Sequence, residues 1–452
     1  MDHVYFDDSL PRLVGAVKEA LGGEALAHGA VLRDATGRLA FFAAESLDSG
    51  AREALEARLR EALGRYARPD RVLADREDYG ARSILDDSAA LELEVSGSAV
   101  RLVDRRIVGA DWLRRPSGPA EGPPRFVFAS LKGGVGRSTA LGVMAAHLAR
   151  QGRRVLAVDL DLEAPGLGEF LLTPETLPPF GMLDALVELN FGALDRSFLD
   201  DLVAPSELAD GRGRLDVLPA LGRRSHASPA EVLAKIARAY TEAITAEGEV
   251  LTLLDKVRLV IGRLSDPARY DAVLVDARAG LHESTPASLL GLGGEVLFFA
   301  SDEPQTYPAY AALFAHLARL APPDQPVPEW VERLTVVQAK APVTPDAREA
   351  FAGRWRELVA RHLVLPADAG PGTSLDATAG DEYVWDDTAS DDEVLPRELS
   401  LFAPLTVLFD DRFRGFEPLA RRDQVSEAVY GSTFSSLIAW FEAAVPGPGE
   451  AP

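Results

Sequence analysis

Lys132, Gly133, Gly134, Val135, Gly136, Arg137, Ser138 and Thr139 follow one another without interruption, and these are residue types that hold phosphate. Three glycines within four positions let the chain turn tightly and leave its N–H groups uncovered by Cβ atoms. The preceding run, Phe126 to Ala129, is apolar, β-branched and aromatic, and reads as a buried strand. Beyond the glycines, Leu141, Met144, Ala145 and Leu148 recur at helical spacing, with Gly152 just past the end. Strand, glycine loop and helix in that order aim backbone N–H groups and the positive end of a helix dipole at one anion. Ser138 stands where a phosphate-loop hydroxyl ligates Mg²⁺. The bland alternative is a glycine turn that binds nothing. A run with a lysine, an arginine and a serine in register is far more specific than a lone glycine pattern.

One position departs from the general pattern G-x-x-x-x-G-K-[ST]: Arg137 stands where lysine is usual. Arginine keeps the charge and grips phosphate oxygens two at a time, but it is larger and more rigidly directed than an ammonium. Nucleotide binding with slow hydrolysis is the expectation.

Carboxylates close two further apolar runs. Val155 to Val158 ends in Asp159 and, two residues on, Asp161; Ala272 to Val275 ends in Asp276, with Gly280 following. Both runs read as central parallel strands, and the C-terminal edge of such strands is where open α/β sheets bind ligands. Asp276 matches a Walker B carboxylate that holds a Mg²⁺-bound water. Arg278 and His282 are either nucleotide sensors or, more blandly, a surface ion pair and a satisfied loop histidine. No histidine pair has zinc-binding spacing, and there are no cysteines, so a protein-ligated zinc, an Fe–S cluster and a disulfide framework are all excluded.

The stretch 132–139 resembles the deviant Walker A motif, K-G-G-x-G-K-[ST]-T, of the MinD/ParA-type P-loop ATPases, in a variant carrying arginine at the usual lysine position. The resemblance extends to 159–166, similar to the family's switch I segment, and to 276–280, similar to its switch II. It implies ATP and ADP as ligands with Mg²⁺ held near Ser138, Asp159 and Asp276. It implies that Lys132, the signature lysine, reaches the phosphates of a partner subunit in a nucleotide-sandwich homodimer, and that Asp161 positions or activates the attacking water. By the family's order, Gln338 stands near the place of an adenine-contacting amide. The activity implied is hydrolysis of ATP to ADP and phosphate by a molecular switch; branches of the family serve partitioning, cell-division placement, polar localisation and bacterial multi-gene defence loci. Two alternatives stay open. One is a nucleotide-bound scaffold that does not turn over. The other is a protein-tyrosine kinase, although no tyrosine follows Tyr430 to form the tyrosine-rich tail usual in that branch.

These residues must be positioned by a fold. Alternation of strands and helices from 125 to 445 predicts an α/β, doubly wound, mainly parallel sheet, with further strands at Glu295–Ser301, Leu334–Ala339 and Thr406–Phe409. The region 170–255 reads as mostly helical with one short strand, Leu215–Pro219, and Asp423–Val445 as a single C-terminal helix. Residues 1–115 read as a smaller α+β unit, an adaptor or sensor: helices near Leu10–Leu21 and Glu53–Tyr66, a hairpin across Gly37, and strands Ala90–Val95 and Ala99–Val103. Proline and glycine crowd 116–124, which reads as a linker; 368–393 is an acidic insertion and 446–452 a disordered tail.

Composition bounds the partners. In 452 residues, 70 acidic against 47 basic side chains give a net charge of −23, which argues against general nucleic-acid binding and favours a protein partner. The start, Met1 to Asp8, is acidic and lacks the plan of a signal peptide, and no apolar run approaches a membrane span. No Lys or Arg follows Arg422, so a basic amphipathic membrane tail is missing. A cytoplasmic location is expected.

Overall fold

The computed structural model describes residues 3–245, 247–321, 328–363 and 401–447. The acidic stretch 368–393 and all but the first two residues of the 446–452 tail lie outside these. The chain divides into two compact units, one of Met1–Arg115 with His316–Gln325, the other of Pro116–Ala315 with Pro326–Pro452.

The smaller unit is built on β1 (Ala30–Arg33), β2 (Leu39–Phe42), β3 (Leu73–Ala74), β4 (Leu91–Val95) and β5 (Ser98–Asp104), in the order β3-β2-β1-β5-β4. Two helices pack together beside it, Phe6–Leu21 and Ser49–Leu63, burying Leu13, Val14 and Val17 against Leu55, Leu59 and Leu63. The second helix starts four residues before the expected Glu53 because Asp48 caps it, accepting from Gly50 N at 3.0 Å and Ala51 N at 2.9 Å. It ends at Leu63, where Gly64 takes a φ of 52° and the chain tightens into a 3₁₀ turn through Tyr66.

The larger unit holds β6 (Arg125–Ser130), β7 (Arg154–Asp159), β8 (Ala204–Pro205), β9 (Arg214–Leu218), a short hairpin of β10 (Ala243–Ile244) and β11 (Val250–Leu251), β12 (Ala272–Asp276), β13 (Glu295–Ala300), β14 (Leu334–Ala341) and β15 (Leu405–Leu408). Eight of these form one sheet in the order β15-β14-β13-β6-β12-β7-β9-β8, parallel throughout except at the edge pair β8–β9. Parallel sheets are covered on both faces, which is why these strands read as apolar runs rather than alternating ones.

Side-chain alternation assigns the two faces. Phe126, Phe128, Val155, Ala157, Leu274, Leu297, Phe299, Val337 and Ala339 join the core under the helix Arg137–Arg150 and the helix Ser435–Ala444. Phe128 stacks on Phe441 with ring centres 5.8 Å apart. On the other face Phe298 meets Tyr310, Phe314 and, through them, Trp355 of the helix Pro345–His362.

Two expectations change. The single C-terminal helix is broken into a 3₁₀ turn at Arg422–Val425, a short helix at Glu427–Tyr430 and the helix Ser435–Ala444. The break lies where Thr433 leaves helical pairing, its hydroxyl donating to Asp410 at 2.7 Å and its carbonyl accepting from Leu408 N at 3.0 Å. The region 170–255 contains the two-residue strand β8 and the β10–β11 hairpin besides the expected β9; strands of two residues carry too little pattern to be seen. The segment 116–124 is held to the larger unit by backbone hydrogen bonds: Ser117 N donates to Leu290 O at 2.8 Å and Ala120 N to Gly293 O at 2.9 Å. Among the described residues no helix is long and apolar enough to cross a membrane.

Candidate functional site

The glycine loop leaves the C-terminal end of β6, and the helix Arg137–Arg150 begins directly after it. Gly134 and Gly136 have φ of 74° and 90°, left-handed values that other residues resist, while Cβ atoms placed there would meet open space within 4 Å. The glycines are therefore required by backbone conformation, and the space above them is free for a ligand. That space is a cavity of about 700 Å³ lined by Gly133, Gly134, Val135, Gly136, Arg137, Ser138 and Thr139 on one side. Its far wall comes from the ends of β14 and β15: Lys340, Phe409 and Asp410, with Thr433 and Phe434 beside them.

The strands β6, β12 and β7 are adjacent and parallel, with Asp276 in register with both Phe128 and Asp159. Their C-terminal ends thus bring Ser130, Asp276 and Asp159 together at the floor of the loop. Asp159 is fully buried and accepts from the N–H groups of Asp161 at 3.0 Å, Gly166 at 3.2 Å and Leu167 at 3.1 Å. Burial and then the neighbouring Asp276 nevertheless push its carboxyl up to about 8, against the pull of those N–H groups. Asp161, less deeply buried, is pushed upward by burial while Arg137 pulls it back.

Arg137 lies at the centre of this cluster. Its Nε donates to Asp276 Oδ1 at 2.5 Å, Nη1 to Ser130 Oγ at 3.3 Å and Nη2 to Asp161 Oδ2 at 3.3 Å. Burial works against its charge, but Asp276 and Asp161 outweigh it, and the guanidinium is held in its charged form. A guanidinium has five N–H donors, so it retains donors for a further anion at the cavity it lines.

Lys132 does not line the cavity. It is half-exposed and paired with Glu303 on the loop after β13, where Gln305 Nε2 also donates to Glu303 at 2.8 Å. Asp161 is linked onward: Arg278 reaches it at 3.8 Å and pairs with Glu163, to which the Tyr240 hydroxyl also donates. His282 Nε2 stands 3.8 Å from the same Glu163.

Gln338 was expected near the place of an adenine-contacting amide. It is buried, but on the sheet face opposite Val337 and Ala339, and it borders a different cavity from the glycine loop. The residue that reaches the loop's cavity from this strand is Lys340, because the register with β15 shifts between Gln338 and Ala341 and Lys340 takes a φ of 53°. Lys340, Asp410 and Thr433 were all missed from the sequence. The usable signal was at Asp410, a carboxylate just beyond an apolar run, the same cue that marked Asp159 and Asp276.

The residues present fit a nucleotide and its Mg²⁺. The loop offers uncovered N–H groups, and Ser138 lines the cavity beside them. Asp159 and Asp276 end adjacent parallel strands in register beside the loop. Among the described residues no group of three or more acidic or histidine side chains is arranged to hold a metal alone.

Residues 126–279 match the family described as the CobQ/CobB/MinD/ParA nucleotide binding domain. No curated protein matches the chain. Among solved structures, a McdA–ATP complex from Cyanothece is similar at 13% identity and TM-score 0.43, covering 73% of this chain and 99% of that one. The cell division ATPase MinD of Pyrococcus furiosus is similar at 18% identity and TM-score 0.40, covering 71% and 99%. The structure of pNOB8 ParA bound to nonspecific DNA is similar at 17% identity and TM-score 0.33, covering 54% and 77%.

Proposed function

We propose that this chain, whose stretch 126–279 is a MinD/ParA-type P-loop nucleotide-binding domain, is an ATP-dependent switch that hydrolyses ATP slowly and controls a protein partner in a positioning or partition process. The observation that carries the reading is the Arg137 fork, which ties the loop's first helical residue to Asp276 and Asp161. In this reading the loop's N–H groups and the helix N-terminus receive the phosphates, and Arg137 shifts part of its hydrogen bonding from the carboxylates to them. Asp161, relieved of Arg137, then accepts a hydrogen bond from the attacking water and orients it. Asp276 and Ser138 would hold Mg²⁺, which neutralises phosphate charge when bound. Lys132 would leave Glu303 and cross to the phosphates of a second copy, closing a homodimer around two nucleotides.

The partner class follows from charge and surface. A net charge of −23 opposes nucleic acid. The larger unit also exposes Phe191, Leu233, Ile244 and Val250, apolar side chains suited to a protein.

A second reading rests on the same fork. If Arg137 stays with its carboxylates after ATP binds, the chain is a nucleotide-bound scaffold without turnover. Phosphate release measured for the wild type and for Asp161→Ala, alongside ATP binding, separates the two. The switch reading expects slow release that Asp161→Ala abolishes with ATP binding retained; equal release from both proteins contradicts it.

A further inference from the structure

Asp161 is held by cations from two sides. Arg137, which opens the helix after the glycine loop, donates from Nη2 to its Oδ2 at 3.3 Å. Arg278, between β12 and the helix Thr285–Leu289, brings Nη1 to 3.8 Å from Oδ1. The N–H of Ala164 donates to that same Oδ1 at 3.3 Å. The two oxygens are thus divided. Oδ2 faces Arg137, while Oδ1 faces the backbone and Arg278.

Arg278 is restrained from closing on Asp161. The same Nη1 pairs more closely with Oε2 of Glu163, which lies just beyond Asp161 on the loop after β7. Glu163 is itself held at its other oxygen. The Tyr240 hydroxyl donates to Oε1, and His282 Nε2 stands 3.8 Å from it. Tyr240 closes the helix Val232–Ala239, so three separate segments of the larger unit meet at this carboxylate. Asp161, Glu163 and Arg278 expose only 13%, 21% and 26% of their side chains, so water screens them less than it would a surface bridge. A guanidinium shared in this way anchors Asp161 through Oδ1 and leaves Oδ2 to another donor. With Glu163 neutralised, the fork is drawn toward a two-point grip on both oxygens of Asp161. With Arg278 removed, Asp161 has the Ala164 N–H to set its direction once Arg137 turns to phosphate.

We propose that Arg278 and Glu163 are positioning residues for ATP hydrolysis: together they hold Asp161 with Oδ1 anchored and Oδ2 open to the attacking water. This role rests on the reading that Asp161 orients that water.

The test measures steady-state phosphate release, and binding of a non-hydrolysable ATP analogue, on the full chain. The proteins compared are the wild type, Arg278→Gln, Arg278→Lys, Glu163→Gln and Asp161→Ala. In Arg278→Gln and in Glu163→Gln, kcat should fall about tenfold or more, while KM and analogue affinity stay within about twofold, because orientation and not binding is lost. Arg278→Lys keeps a cation between the two carboxylates and should hold kcat within about threefold of the wild type. An ion pair with a structural role alone would move the melting temperature and leave kcat of the folded protein unchanged. Unchanged kcat in both Arg278→Gln and Glu163→Gln, with release abolished in Asp161→Ala, overturns the positioning role and leaves that of Asp161 standing. Undiminished release from Asp161→Ala removes both. Loss of analogue affinity in step with kcat in Arg278→Gln also overturns the positioning role, since it would place Arg278 on the nucleotide instead.

Discussion

Arg137 Nε lies 2.5 Å from Asp276 Oδ1, so the cation that follows the glycine loop is bonded to the carboxylate at the end of β12. The same guanidinium reaches Asp161 and Ser130. The planar fork presents its donors to these three groups in fixed directions, whereas a lysine ammonium would offer three donors from one nitrogen on a flexible stem. The arginine is thus fitted to its neighbours and not merely tolerated in a lysine's place.

Replacing Arg137 with Lys is therefore expected to cost both stability and turnover. Leaving a buried carboxylate short of one charged hydrogen bond should destabilise the ligand-free chain by about 1–3 kcal/mol, read by denaturant unfolding. Phosphate release should fall by roughly an order of magnitude, which corresponds to about 1.4 kcal/mol at the barrier. A substantial gain in turnover would instead mean that arginine restrains the reaction, as the scaffold reading requires.

Lys132 gives a second expectation. Its pairing with Glu303 is between half-exposed side chains, and such bridges contribute only about 0–1 kcal/mol. Glu303→Gln should leave the unfolding free energy nearly unchanged and strengthen ATP-dependent self-association by a few-fold, about the same energy. Sedimentation velocity across a concentration series measures this. Association that is unaffected would place Lys132 away from any subunit interface.

The glycine loop and the carboxylates beside it were legible as elements of the fold because their signals are local. Phe126 to Ala129, the glycines and the Leu141–Leu148 repeat are contiguous, and Asp159 and Asp276 each follow an apolar run of four residues. The far wall was not legible, since it depends on events distant in the chain. Lys340 enters the cavity only through a register shift against β15, and Thr433 only because Asp410 draws it out of a helix. Gln338 shows a subtler limit. Its strand was expected at Leu334–Ala339 and is found at Leu334–Ala341, but which face holds which helix is set by strand order, which parity alone does not give.

His147 ties stability to pH. It is buried in the helix Arg137–Arg150, with Nδ1 2.8 Å from the Tyr430 hydroxyl and Nε2 3.1 Å from Glu442. Burial lowers its pKa below the ordinary 6.5, even though Glu442 pulls it upward. A depressed pKa means the folded chain prefers the neutral ring. The contribution is fully present above about 6.5 and is lost as pH falls through the lower folded value. Melting temperatures at pH 7.5 and 5.5 should therefore fall less in His147→Gln than in the wild type. Equal falls in the two proteins would remove His147 from the pH response.

The most direct measurement is native mass spectrometry of the full chain with Mg²⁺ and ATP, then with Mg²⁺ and ADP. The switch account predicts a dimer carrying two nucleotides in ATP and a monomer in ADP, with the dimer lost in Lys132→Ala. The same mass in both nucleotides would contradict it.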